Sequence, residues 1–298
     1  MRISFTLRTI IILLLCASTG PSASAHPGSG IVVDKHGQVF FTDTGRGVWK
    51  IDTLGRLTYV PASRWHWMAI DETGSFESSE KSFAGWFERV TPPHTKPVLI
   101  MCSDFPLTIG RDGNLYYADT RRSSPGIVRR KPDGTETSIA RGEKYLGVSG
   151  IAAGPDGSLY ITDAGRPDSN ALCKISPDGT VSTIAGVLVG KGVARDIPPA
   201  TDPGYCRGLA VDSGGYVIVA ATGSRRVLKV SPRGAVSTVL ETESPWSPTG
   251  VALYRGEIYV LEWRDSPPDQ TEVRQAWVPR VRKIGRDGKV ATLATVSR

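Results

Sequence analysis

The chain has 298 residues, 40% of them hydrophobic and 22% charged, with 36 Lys and Arg against 29 Asp and Glu and a formal net charge of +7. Its length and apolar share suffice for one large core. The basic residues are scattered through the sequence, which argues against the basic stripe of a nucleic-acid binder. No run after the N-terminal region is apolar for the length that a bilayer demands.

Arg2 and Arg8, the apolar stretch from Ile10 to Leu15 and the small residues Ala23-Ser24-Ala25 have the layout of a cleaved secretory signal peptide. Residues 1–25 are therefore expected to be removed. A mature chain of residues 26–298 would remain, secreted or periplasmic, with no membrane insertion after cleavage. Cys102, Cys173 and Cys206 stay in the mature chain, an odd number that permits at most one internal disulfide. Buried thiols acting as small hydrophobes are the simpler expectation.

From residue 30 onward one phrase recurs. GIVVDKHGQVFFTD opens at Gly30, GIAAGPDGSLYITD at Gly150 and GLAVDSGGYVIVAA at Gly208, with variants at Pro106 and Gly250 and a decayed copy at Trp67. The turn glycines are Gly37, Gly74, Gly113, Gly157, Gly215 and Gly256, and a period of about forty residues built on Asp-Gly-type turns marks a β-propeller. In the first repeat the strands read as Ile31 to Val33, Val39 to Thr42, Val48 to Ile51 and Leu57 to Val60. Turns such as Pro132-Asp133-Gly134 and Pro177-Asp178-Gly179 join third strands to fourth. The pattern predicts an all-β, six-bladed propeller of four-stranded blades. The chain starts on an inner strand and ends on an outer one, so the first and last blades should close by side-to-side packing. The second blade is the weakest, because its second strand, Phe76 to Ser79, is polar. Residues 186–204 and 264–279 are long insertions expected on one rim, the usual place for function on a rigid scaffold.

RGLAVD at Arg207, preceded by PPATDPGYC and followed by GSRRVLKVSPRGAVSTV, resembles an NHL-repeat propeller. GIAAGPDGSLYITDAG is shared with that group and with the related gluconolactonase-like propellers, kin of the strictosidine-synthase-like six-bladed propellers. The resemblance implies a fold and a choice of functions, which run from lactonases and lyases to pure binding modules. Gluconolactonase-like members hold a divalent cation with an opening glutamate. Here Gly28-Ser29-Gly30 stands at that place, and only Glu262 loosely matches a late-blade glutamate of the strictosidine-synthase-like members.

Six residues past each turn glycine stand Asp43, Glu80, Asp119, Asp163, Ala221 and Glu262. The aspartates read as residues that close their own loops. Glu262, longer and beside Trp263 and Arg264, is the candidate catalytic carboxylate and, in the enzyme reading, a ligand for calcium or a similar divalent cation. Arg207 precedes an inner strand, and with Arg225 and Arg264 it could take a carboxylate or phosphate. Trp246 and Trp263 could line the tunnel mouth as an aromatic platform. The expected function is a binding or scaffolding module for a small molecule, glycan or protein. The alternative is a cation-assisted hydrolase or lactonase.

Overall fold

Short strands that alternate polar and apolar residues between Asp-Gly turns can bury themselves only by stacking sheet on sheet, and here six sheets stack around one axis. The computed structural model describes residues 27–77, 87–93, 95, 97–102, 105–119, 125–142, 145, 147–163, 171–186, 188, 206–264 and 278–297. The six inner strands are β1 (Ile31–Val33), β5 (Trp67–Asp71), β8 (Leu107–Ile109), β12 (Val148–Ala153), β16 (Leu209–Val211) and β20 (Trp246–Tyr254). Each neighbours the next, and β20 returns to β1.

The first blade continues with β2 (Val39–Asp43), β3 (Gly47–Ile51) and β4 (Leu57–Val60), within a residue of the strands read from the sequence. The third blade adds β9 (Leu115–Asp119), β10 (Gly126–Arg130) and β11 (Glu136–Arg141). The fourth adds β13 (Leu159–Asp163), β14 (Ala171–Ile175) and β15 (Val181–Ala185). The fifth adds β17 (Val217–Ala221), β18 (Arg226–Val230) and β19 (Val236–Glu241). The sixth adds β21 (Glu257–Arg264), β22 (Val278–Ile284) and β23 (Val290–Thr295). These five sheets are four-stranded meanders with consecutive antiparallel strands.

The second blade departs from the expectation. Ser75–Glu77 is a single 3₁₀ turn instead of the start of a strand. The place beside β5 goes to β7 (Val98–Cys102), and β6 (Phe87–Val90) lies outside it, so the described order is β5-β7-β6. The reason is burial. A strand flanked by two blades is covered on both faces, and β7 is wholly buried, as are β2 and β17. Val-Leu-Ile-Met-Cys satisfies that requirement and Phe-Glu-Ser-Ser does not.

Six hydrophobic clusters fill the six gaps between blades. Phe40, Leu99 and Met101 join the first blade to the second, and Ile218, Val260 and Ile284 join the fifth to the sixth. Phe41, Leu261 and Trp263 close the ring between the sixth blade and the first. Closure is thus by side-to-side packing with no strand exchanged. Cys102 and Cys206 are each 1% exposed, but they sit in different interblade clusters, so no bridge links them. Burial pushes the Cys206 thiol up to about 12. The insertions at 186–204 and 264–279, and residues 1–25, lie almost wholly outside the described residues.

The glycines that open the repeated phrase have a steric cause. A methyl on Gly208 would stand 2.6 Å from Gly250 Cα, and one on Gly30 would stand 2.9 Å from the Met68 nitrogen. At Gly150 and Gly250 it would overlap the carbonyl oxygens of Arg207 and Ser29. The inner strands approach at this end of the tunnel closely enough to exclude a side chain. Gly150→Ala is therefore expected to lower stability by about 2 kcal/mol or more, because the blocking atom is backbone. Gly186→Ala, in open space, should stay within about 0.5 kcal/mol, and urea unfolding of both variants measures the difference.

Candidate functional site

The residue just before each inner-strand phrase occupies the same register position, and around the tunnel these are Ser29, His66, Phe105, Ser149, Arg207 and Thr249. Backbone and side chain tie four of them, Ser29, His66, Arg207 and Thr249, into contacts between blades. The amides of Ser29 and Gly30 donate to the His66 carbonyl at 2.7 and 2.8 Å, and Gly208 N donates to Thr249 O at 3.0 Å. Thr249 Oγ1 donates to Gly28 O at 2.6 Å, and the Gly150 Cα abuts Arg207 O. From the fifth blade, the Arg207 guanidinium reaches the first blade and donates to Pro27 O at 2.6 Å. Arg207 thus spans from the fifth blade to the first.

The mouth also holds an unsatisfied donor. Ser29 is 5% exposed and its hydroxyl makes no hydrogen bond. A buried hydroxyl without a partner costs free energy that a bound polar group can recover. Ser149 Oγ lies 3.2 Å from Thr162 Oγ1. These positions bring Arg207, His66 and three buried hydroxyl residues, Ser29, Ser149 and Thr249, to one end of the tunnel in a frame of close-packed backbone. Ser29, His66 and Thr249 were missed in the sequence, although each aligns with Arg207 once the repeats are superposed.

The carboxylates behave differently from Arg207. Asp43 is fully buried, its Oδ1 accepts from Gly45 N at 2.9 Å and its Oδ2 from Trp49 Nε1 at 3.1 Å. It closes its own loop, the structural role read from its repetition. Glu262 overturns its expectation as an open ligand. It is 0% exposed, one oxygen accepts from Arg282 Nε at 3.0 Å and Nη2 at 2.6 Å, and the other is held by Arg280. Glu243 bridges the same two arginines, 2.6 Å from Arg280 Nη2 and 3.4 Å from Arg282 Nη1. Burial pushes the Glu262 carboxyl upward, and the two guanidiniums pull against that.

A cation needs oxygens that can turn toward it, and both of Glu262's are committed. Among the described residues, no group of three or more His, Cys, Asp or Glu side chains is placed to hold a metal ion. Among the described residues, Glu262 does not fit the role of a ligand for the expected divalent cation.

The other candidates divide. Trp263 does not line the mouth. It is 1% exposed and packs in the core between the sixth and first blades, because that face of β21 points at its neighbour. Trp246 is partly exposed, with the Arg280 guanidinium stacked 4.0 Å from its ring centroid and Arg264, exposed, at 6.0 Å. Arg225 holds a left-handed conformation at φ 55° that ends the 3₁₀ turn Thr222–Ser224. Its carbonyl accepts from Thr242 N at 2.8 Å and Oγ1 at 2.7 Å, so its backbone has a structural task.

No family model matches the chain. It is similar to a virginiamycin B lyase of Nocardia farcinica, 31% identical over 172 residues that make up 55% of this chain and 56% of that one. The chain thus spans little more than half the length of this curated relative. Among solved structures it is similar to the calcium-binding protein regucalcin of Agrobacterium tumefaciens, with a TM-score of 0.55 at 15% identity, covering 85% of this chain and 88% of that one. It is also similar to a gluconolactonase of Xanthomonas campestris, with a TM-score of 0.52 at 17% identity, covering 80% and 84%. The structural likenesses are those of a six-bladed propeller fold, and the sequence likeness to the lyase extends over about half of the chain.

The network around Glu262 carries a stability prediction. Glu262→Gln removes the charge shared by two nearly buried guanidiniums and is expected to cost about 3–5 kcal/mol, read by urea unfolding. Calcium should leave the unfolding midpoint of the unaltered protein in place, since Glu262 has no free oxygen for it.

Proposed function

We propose that the protein is an enzyme of the lyase or lactonase kind that binds an ester-containing small molecule at the tunnel mouth, outside the cytoplasm. The observation that carries this reading is the Arg207 guanidinium, which already holds a carbonyl oxygen, that of Pro27, across the mouth. A substrate carbonyl in the same place would be polarised, and negative charge developing on its oxygen would meet a half-buried cation. Similarity to a lyase over 172 residues supports chemistry over passive binding.

Three side chains have roles in this reading. Arg207 binds the ester or lactone carbonyl. His66, from the same ring, takes the proton, since an imidazole suits a base near neutral pH. The Ser29 hydroxyl gives the bound substrate a hydrogen-bond partner that the protein does not supply. Trp246 and Arg264, on the neighbouring end of the sixth blade, would contact the body of the substrate. Because Glu262 is closed by Arg280 and Arg282, no step is routed through a cation.

The test is to incubate the protein with gluconolactone and with virginiamycin B and to follow products by mass spectrometry. Hydrolysis adds the mass of one water to the products, and elimination adds none. Turnover that survives EDTA is expected, with kcat/KM reduced about 100-fold or more in Arg207→Gln. Unchanged kcat/KM in Arg207→Gln would remove the mouth from the reaction. Binding of either compound at Arg207 without turnover would instead return the chain to the NHL-like binding modules. Loss of activity to EDTA, restored by calcium, would bring a metal back into the account.

A further inference from the structure

A basic residue of the third strand stands opposite the same second-strand position in blade after blade: Arg129 opposite Tyr116, Lys174 opposite Tyr160, Lys229 opposite Ile218 and Lys283 opposite Tyr259. In most of these blades it has a visible local partner. Lys174 donates to Asp156 at 2.7 Å, Lys283 to Glu257 at 3.0 Å, and Lys229 lies 4.4 Å from the centroid of the Tyr216 ring. Such pairs rivet the outer part of the blade to its inner hairpin.

Lys50, opposite Phe40 in the first blade, makes no such pair, and the third blade lacks one as well. Its hairpin acid, Asp112, is turned away: Oδ2 accepts from the Tyr116 hydroxyl and Asn114 Nδ2, both at 2.6 Å, and Oδ1 from Asn114 N at 3.2 Å. Arg129 is left half-buried, and its Nε is buried with no hydrogen-bond partner. A guanidinium in that state is costly unless something pairs with it.

A cavity lies where the missing partner would sit. It occupies about 230 Å³ in the crevice between the third and fourth blades, among the hairpin turns on the face opposite the mouth. Arg129 and the exposed Arg111 give it positive charge, against the one carboxylate of Asp112. Ile139, Leu159 and Ile175 form apolar walls. The volume is below the roughly 300–1,000 Å³ of pockets for drug-sized ligands, which restricts the occupant to a compact molecule.

We propose that this crevice is a second binding site, for a small organic carboxylate whose charged end pairs with Arg129 and whose apolar body rests on Ile139, Leu159 and Ile175. A planar carboxylate matches the fork of a guanidinium, and the apolar walls reject a bare inorganic anion. The site is independent of the reaction assigned to the mouth and lies on the other face of the ring.

Benzoate is a suitable probe, with benzyl alcohol as its uncharged counterpart. Benzoate is expected to bind the unaltered full-length protein in a calorimetric titration and to raise its Tm, and benzyl alcohol to do neither. Arg129→Met should weaken benzoate about tenfold or more, as loss of a charge-assisted bond implies. Ile139→Phe, which fills the crevice and leaves both arginines in place, should weaken it likewise, and Arg207→Gln should bind as the parent does. The proposal is overturned if benzoate does not bind, if Arg129→Met and Ile139→Phe both bind it as tightly as the parent, or if Arg207→Gln is the variant that loses it.

Discussion

The close approach of the inner strands at the tunnel mouth is the constraint on which the rest depends. Six sheets can surround a narrow axis only if their innermost backbones nearly touch. At Gly30, Gly150, Gly208 and Gly250 they touch where a methyl group would be. The same approach puts amide against carbonyl from blade to blade, as from Ser29 and Gly30 to His66 and from Gly208 to Thr249. It also decides which residues face the opening, because the residue before each of these positions is held at the rim. Blade packing then follows, with the second-position strand wedged between neighbours on either side, wholly buried in the first, second and fifth blades.

That frame gives the mouth its chemistry. Arg207 crosses to Pro27 because the residues before the inner strands converge there, and Thr249 and Ser29 stand beside it for the same reason. The network of Glu262 with Arg280, Arg282 and Glu243 answers a different need. β22 is longer than the third strands of the other blades, and two arginines spaced by two on one of its faces require countercharge. Arg280 also stacks on Trp246, so the network and the exposed aromatic at the edge of the sixth blade hold each other in place.

Much of the fold was legible in the sequence because turn glycines and alternating strands mark each blade locally. The first blade was read within a residue at every strand. The second was misread because the strand beside β5 comes later in the chain than the strand outside it. The run Val98 to Cys102 was nonetheless the stretch best suited to burial on both faces. The site was less legible. Repeat alignment placed Glu262 at the end of a strand, but it carried no information on partners from the next strand. The alternation Arg280-Val281-Arg282 opposite Glu262 held that information, and the cross-strand register makes it visible. Trp263 failed for a related reason, since spacing along a strand does not tell whether a face meets solvent or the neighbouring blade. For Arg207 the position before an inner strand was legible, but its bond to Pro27, distant in the chain, was not.

The central claim is that the mouth, through Arg207, is where substrate is held. A crystal structure of the protein soaked with a lactone or its carboxylate product tests it most directly. The account predicts the ligand's carbonyl or carboxylate oxygen on the Arg207 guanidinium, with the Pro27 carbonyl displaced and the Ser29 hydroxyl hydrogen-bonded to the ligand. A ligand bound elsewhere, with the Arg207–Pro27 bond intact and Ser29 still unpartnered, would contradict it.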